Sequence, residues 1–272
     1  MNELSLFSGA GGGLLATKHL LGWNTIGYVE IDDYCQRVIA QRIKDGLLDE
    51  APIFCDIGTF ISEGYAERYK GMVDVITAGF PCQPHSVAGK QLAEKDPRNK
   101  WPETARVISI VRPRHVLLEN VPGIQKYLPV VLRDLRRIGY NPRRPRIIAA
   151  ASLGAGHIRR RVWIYADINQ EGQPYAEGVT ATPESDNIRT AACLDDGQKI
   201  STNPYKKRKL QQERDVKNVR RWACNCCWWE TEPDVVRVVY GCPHGVDRIG
   251  ALGNFQVPIM AETAWKILTG EL

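Results

Sequence analysis

The sequence has no apolar stretch approaching the roughly 18–20 residues that a bilayer crossing needs. Its start, Met1 to Phe7, lacks a basic segment followed by a long apolar one, so no signal peptide is expected. It has no internal repeat, which excludes a solenoid or an array. Neither sign of charge dominates: Lys plus Arg is 36 against 31 for Asp plus Glu, giving +5 over 272 residues. That balance suits a nucleic-acid partner without demanding one. Wholesale disorder is excluded too, because 43% of the residues are hydrophobic and 25% charged. Without a secretory start, the eight cysteines read as reduced thiols rather than as a disulfide framework.

Two patterns alternate over the first 166 residues. Short apolar, β-branched runs stand at Leu4–Phe7, Thr25–Glu30, Val73–Ala78, His115–Glu119, Arg146–Ala150 and Arg161–Ala166. Between them, Leu14, Leu15, Leu20 and Leu21 have helical spacing, as do Val38, Ile39 and Ile43, and Leu128, Val131, Leu132 and Leu135. Such alternation predicts an α/β fold with a mostly parallel, doubly wound sheet. Helical spacing returns at Val257, Ile259, Met260, Ala264, Ile267 and Leu268. Between them the chain is polar and irregular. The spacing thus predicts one α/β domain, 1–167 plus 246–272, carrying a small insertion, 168–245.

Leu4 to Gly13 reads as a strand entering a glycine-rich turn and then a helix. Glycines let the backbone bend sharply and approach a ligand, and a helix N-terminus favours negative charge. Alone, such a turn is as often ligand-free as not. The next strand ends at Val29-Glu30, where nucleotide-binding α/β folds place an acid for ribose hydroxyls. A third strand end is expected near Phe54-Cys55-Asp56-Ile57. Three such turns at one sheet edge fit an adenosine-containing cofactor. ATP is disfavoured, because the loop lacks the Gly-Lys-Ser/Thr ending of a P-loop.

Four further segments follow in order: Gly79-Phe80-Pro81-Cys82-Gln83-Pro84-His85-Ser86, Leu117 to Gly123 with Glu119-Asn120-Val121, His157 to Val162, and Gly253-Asn254-Phe255-Gln256-Val257-Pro258. With the glycine turn, they resemble the C5-cytosine DNA methyltransferases, and the stretch from Thr231-Glu232-Pro233-Asp234 through Asp247-Arg248 resembles the approach to the last motif in phage and prophage members. The resemblance covers nearly the whole chain except about Ile168 to Trp228. Singly, Cys82 would read as a structural thiol, Glu119 as a surface acid and Arg159 to Arg161 as a solvated run; their joint order reverses those readings.

The resemblance implies methyl transfer from S-adenosylmethionine to C5 of cytosine in double-stranded DNA. Cytosine C5 is a poor nucleophile, and a thiolate adding at C6 turns the ring into an enamine-like species that attacks an electrophilic methyl group. Cysteine suits that covalent step near neutral pH, so Cys82 is the expected nucleophile. Glu119 fits the acid needed at N3. Arg159 and Arg161, two apart on an expected strand, should share one face; the resemblance puts them near cytosine O2, bracing the cysteine loop, with Asn120 orienting it. The base must flip out of the duplex to be reached.

The cofactor residues implied are Phe7, Ser8, Gly9 and Gly11 of the first turn, Glu30 and Ile31, Asp56 and Ile57, with Pro81 and Asn254. Gln83 and Ser86 of the cysteine loop should touch DNA. The insertion lies where this family places target recognition. Between Tyr205 and Arg221 it carries eight basic residues against two acidic ones, and Lys206, Lys207, Arg208 and Lys209 suit phosphates, which give affinity without sequence information. Cys224, Cys226, Cys227, Cys242 and His244 invite a zinc reading, but Cys226 and Cys227 are adjacent, so no metal is expected.

His85, His157 and the pair Phe255-Gln256 depart from the residues usual in the family, the last replacing a small, apolar pair. Asp96 to Glu103 resembles the helix after the catalytic loop. A catalytically weak DNA-binding decoy and an RNA-acting relative are the alternatives. The intact Cys82, Glu119 and arginine pair argue against the first, and the missing Cys-Phe-Thr sequence against the second. A monomer in the cytoplasm of a bacterium or phage-infected cell is expected, with no membrane partner and no physical need for a cognate restriction endonuclease.

Overall fold

The structure is a computed structural model, and it describes residues 1–81, 99–168 and 255–272. Among these, eight strands form one sheet: β1 (Asn2–Leu6), β2 (Asn24–Val29), β3 (Ile53–Phe54), β4 (Val75–Ala78), β5 (His115–Asn120), β6 (Tyr140–Pro142), β7 (Arg146–Ala149) and β8 (Arg160–Ile168). The order is β3-β2-β1-β4-β5-β8-β6, with β7 also pairing β8. Neighbours from β3 to β5 run parallel; β8 is antiparallel to β5, β6 and β7. The expected strands are all present, and so is the mostly parallel α/β architecture. β6 was not expected, because three residues ending in proline give no readable alternation.

The described helices are α1 (Gly12–His19), α2 (Asp33–Lys44), α3 (Ile57–Ser62), α4 (Tyr65–Arg68), α5 (Trp101–Val111), α6 (Leu128–Arg137) and α7 (Pro258–Thr269). Asp32 caps α2 by accepting from the Cys35 N–H at 2.8 Å, and Asp56 caps α3 from Thr59 at 2.8 Å. Prolines open the first turns of α5, α6 and α7, where their missing N–H costs nothing. Gly270, with φ 87°, ends α7 in the left-handed conformation.

Helix α1 is shorter than its leucine spacing predicts. It stops at His19, and Leu20 lies 44% exposed beyond it, because the chain must turn at Gly22 to bring Asn24 into register with Asn2. The main core lies over β1, β4, β5 and β8 and includes Leu4, Leu6, Ile76, Val116, Leu118, Ile164, Phe60, Val107, Ile108 and Leu135. A smaller cluster joins Leu14, Tyr28, Ile39 and Leu48. Trp265 of α7 packs edge-on to Trp23, with ring centroids 4.6 Å apart. No described helix is long and apolar enough to cross a membrane.

The strand order reverses between β1 and β4. That is the switch point at which open α/β sheets leave a crevice beyond the carboxyl ends of their strands. β1 runs there into the glycine turn, β4 into Gly79-Phe80-Pro81, and β5 into Glu119-Asn120, while antiparallel β8 begins at the same edge with Arg160.

Candidate functional site

A cavity of about 580 Å³ occupies this edge. Phe7, Ser8 and Gly9 line it from the first turn, Glu30 and Ile31 from the end of β2, and Gly79, Phe80 and Pro81 from the end of β4. Glu119, Arg161, Phe255 and Gln256 line it as well. The volume suits a nucleoside-sized ligand.

The first turn shows the backbone strain expected where a chain bends around a ligand. Phe7 has φ 54°, rare for a bulky side chain, and Gly9 has φ 53°. Gly11 does not line the cavity; it caps α1 in the left-handed conformation, φ 81°. Gly12 has no room for a side chain, because a Cβ there would meet the Gln256 carbonyl oxygen and stand 2.8 Å from the Phe255 ring.

Glu30 is only 7% exposed. One carboxylate oxygen accepts from the Gly9 N–H at 2.6 Å and the other from the Asp32 N–H at 2.8 Å. Burial pushes its carboxyl above the usual range, and the backbone donors of Asp32, Gly9 and Ile31 oppose the shift. A lone pair remains for a hydroxyl in the cavity. Beside it Ile31 is 69% exposed at the rim, an apolar surface suited to a base or sugar face. These residues fit an adenosine group.

Asp56 and Ile57 are not among the residues that line the cavity; Asp56 caps α3, and Ile57 packs in the main core.

Glu119 is the penultimate residue of β5, nine-tenths buried. Its Oε1 accepts from Arg161 Nε at 2.7 Å and its Oε2 from Gln256 Nε2 at 3.3 Å. Burial raises its proton affinity; Arg161, Gln256 and Arg159 pull the other way, and burial prevails. A carboxyl so placed holds a proton at higher pH than an ordinary glutamate and can deliver it into the cavity.

Arg159 reaches this environment by another route than alternation along a strand. It precedes β8 with φ 26°, and its guanidinium donates to the Phe255 carbonyl oxygen. The two arginines still converge electrostatically on Glu119, one from the strand and one from the turn before it.

Asn120 donates from Nδ2 to the Phe80 carbonyl at 2.9 Å, and its Oδ1 accepts from the Val121 N–H at 2.9 Å. It therefore ties the root of the cysteine loop to β5. The Lys100 N–H donates to the Pro81 carbonyl at 3.4 Å, which brings the two ends of that loop together. Cys82, Gln83, Ser86, Lys206, Lys207, Arg208, Lys209 and Asn254 lie outside the described residues, as do the cysteines and His244 of the zinc reading.

Two features of the cavity floor have roles that the sequence alone does not assign. Glu3, 1% exposed, accepts from the hydroxyls of Thr17 at 2.6 Å, Thr25 at 3.0 Å and Thr77 at 2.5 Å. It ties β1, β2, β4 and α1 together beneath the crevice, and burial raises its proton affinity. A charged residue inside an apolar strand was the available signal. The second is the Gln256 side chain, which reaches Glu119 across 137 positions of sequence.

Residues 1–244 match the model of a family described as C-5 cytosine-specific DNA methylase. The chain is 29% identical over 174 residues to the Type II methyltransferase M.NgoMIV of Neisseria gonorrhoeae, covering 62% of this chain and 52% of that one. To the Type II methyltransferase M.PspPI of a Psychrobacter species it is 33% identical over 144 residues, covering 50% and 32%. It thus spans about half or less of the length of these relatives. A solved structure from E. coli, described as a prophage-encoded DNA modification methyltransferase, superposes with a TM-score of 0.50 at 26% identity, covering 62% of this chain and 47% of that one.

Proposed function

The chain belongs to the C-5 cytosine-specific DNA methylase family, and from that premise we propose that it transfers a methyl group from S-adenosylmethionine to C5 of cytosine in double-stranded DNA. The observation that carries this reading is the buried Glu119–Arg161 pair on the cavity wall, held beside the root of the Cys82 loop by Asn120.

When bound, S-adenosylmethionine supplies an electrophilic methyl group. Glu30 would hold the ribose hydroxyls, and Phe7 and Ile31 would flank the adenine. The target cytosine leaves the duplex, at a cost of a few kcal/mol of unstacking, and enters the cavity beside Glu119. The Cys82 thiolate forms a bond to C6, and the ring's electron pair moves toward N3, which takes the proton of the Glu119 carboxyl. Arg161, already paired to Oε1, stabilises the carboxylate left behind. C5 then carries the electron density that would take the methyl group, with the S–CH3 bond breaking and its electron pair staying on the sulfur of S-adenosylhomocysteine. Transfer of the C5 proton to water and departure of Cys82 as its thiolate restore the aromatic ring, and N3 returns its proton to Glu119.

Residues 1–167 with 246–272 form the catalytic and cofactor domain in this reading, and 168–245 the target-recognition region. Lys206, Lys207, Arg208 and Lys209 there contact phosphates, while Gln83 and Ser86 contact the DNA around the flipped base. The protein acts as a monomer in the cytoplasm. Bisulfite sequencing of DNA from cells expressing the chain tests the proposal: protected cytosines should recur at one short sequence, and their absence would overturn it.

Glu30→Ala should weaken S-adenosylmethionine binding about ten- to a hundredfold, the loss expected for one charge-assisted hydrogen bond. The variant also strips the Gly9 and Asp32 N–H groups of their acceptor, which loosens the turn around the ligand. Titration calorimetry reads the change; an unaltered affinity would remove Glu30 from the ribose site.

A further inference from the structure

Gln256 has no part in the chemistry above, yet its side chain occupies the junction of the cofactor turn and the acid. Its Nε2 stands 3.3 Å from Glu119 Oε2. A Cβ on Gly13 would collide with its Oε1, and one on Gly79 would stand 3.2 Å from Nε2 and equally near Glu119 Oε2. The amide is therefore wedged between the first turn of α1 and the carboxyl. A helix N-terminus carries free N–H groups and partial positive charge, which favours the amide oxygen on that side. The amide nitrogen then faces Glu119, so the surroundings select the donating orientation.

The charged groups facing Glu119 are Arg161, on Oε1, and Arg159, acting through space from the turn before β8. Gln256 adds a neutral donor on the other oxygen. With Nε of Arg161 on one side and Nε2 of Gln256 on the other, the plane of the carboxyl is fixed. We propose that Gln256 is a positioning residue for Glu119, anchored on the glycine turn, that sets the pH at which this carboxyl gives up its proton. The inference deepens the proposed function by naming what holds and tunes the acid.

A donor to the carboxylate favours the charged form, so removing it must raise the proton affinity of Glu119. Gln256→Met keeps the length of the side chain and removes its polar atoms. In full-length protein labelled with ¹³C at the glutamate carboxyl, without DNA, the Glu119 resonance is assigned by its loss in Glu119→Gln. In Gln256→Met it should titrate about one pH unit higher than in the parent. Gly13→Ala, which displaces the amide without changing it, should move the resonance in the same direction; circular dichroism verifies that each variant folds. Titration at the parental pH in a folded Gln256→Met protein would overturn the proposal. The alkaline limb of the methylation rate should rise with the resonance. A shifted resonance with an unmoved limb would uphold Gln256 as the positioning residue and instead remove Glu119 from the role of acid.

Discussion

Glu119→Gln is expected to slow methyl transfer in a single turnover by about 10²–10⁴-fold, the usual contribution of a positioned general acid. The substitution is close to isosteric. In the proposed site its amide should still hydrogen-bond the Watson–Crick edge of cytosine, so DNA affinity should change only a few-fold. What it cannot do is yield a proton to N3 as Cys82 adds to C6. Arg161 loses its charged partner, but at 17% side-chain exposure it retains some contact with water. Rapid-quench measurement of labelled methyl incorporation reads the step directly, and a rate within tenfold of the parent would assign the proton to another donor.

Arg161→Met should be the most destabilising of the substitutions considered. Removing one partner of a buried pair leaves the other charge uncompensated, at a cost of about 3–5 kcal/mol. Glu119 escapes part of that cost by taking up a proton, so the loss depends on pH. Burial already raises its folded-state proton affinity above that of an unfolded glutamate, and losing Arg161 raises it further. A group raised in this way supports the fold fully below its unfolded pKa, about 4.3, and withdraws that support as pH rises through the folded value. The gap between parent and variant should therefore be small near pH 4 and widen once the parent's Glu119 ionises while the variant's does not. Urea denaturation across the pH range checks this, and a gap independent of pH would contradict the pairing.

What was readable in the sequence divides by the range of the interaction that decides it. Strand ends followed by glycine or an acid are local signals, so Glu30 and Glu119 could be placed at the crevice from their immediate neighbours. The end of α1 depended on the register of Asn24 beside Asn2, a tertiary requirement that leucine spacing does not carry. Asp56 follows a strand, as a ligand residue of such a fold does, and the structure adds that it caps α3, a role its position before Thr59 carries locally. Alternation placed Arg161 correctly but not Arg159, which lies in the turn before β8 with φ 26°. Gln256 registered as a departure from the family's apolar pair, and its contact with Glu119 appears only when α7 is brought against the first turn.

The central claim is that Cys82 attacks cytosine C6 in a site completed by Glu119. A duplex carrying 5-fluorocytosine at the methylated position tests it most directly, because fluorine cannot leave C5 as a proton does and the covalent intermediate is trapped. With S-adenosylmethionine present, the parent should form an adduct that survives denaturing electrophoresis, and Cys82→Ser should form none. An adduct persisting in Cys82→Ser, or none in a parent that methylates the same duplex bearing cytosine, would contradict the account.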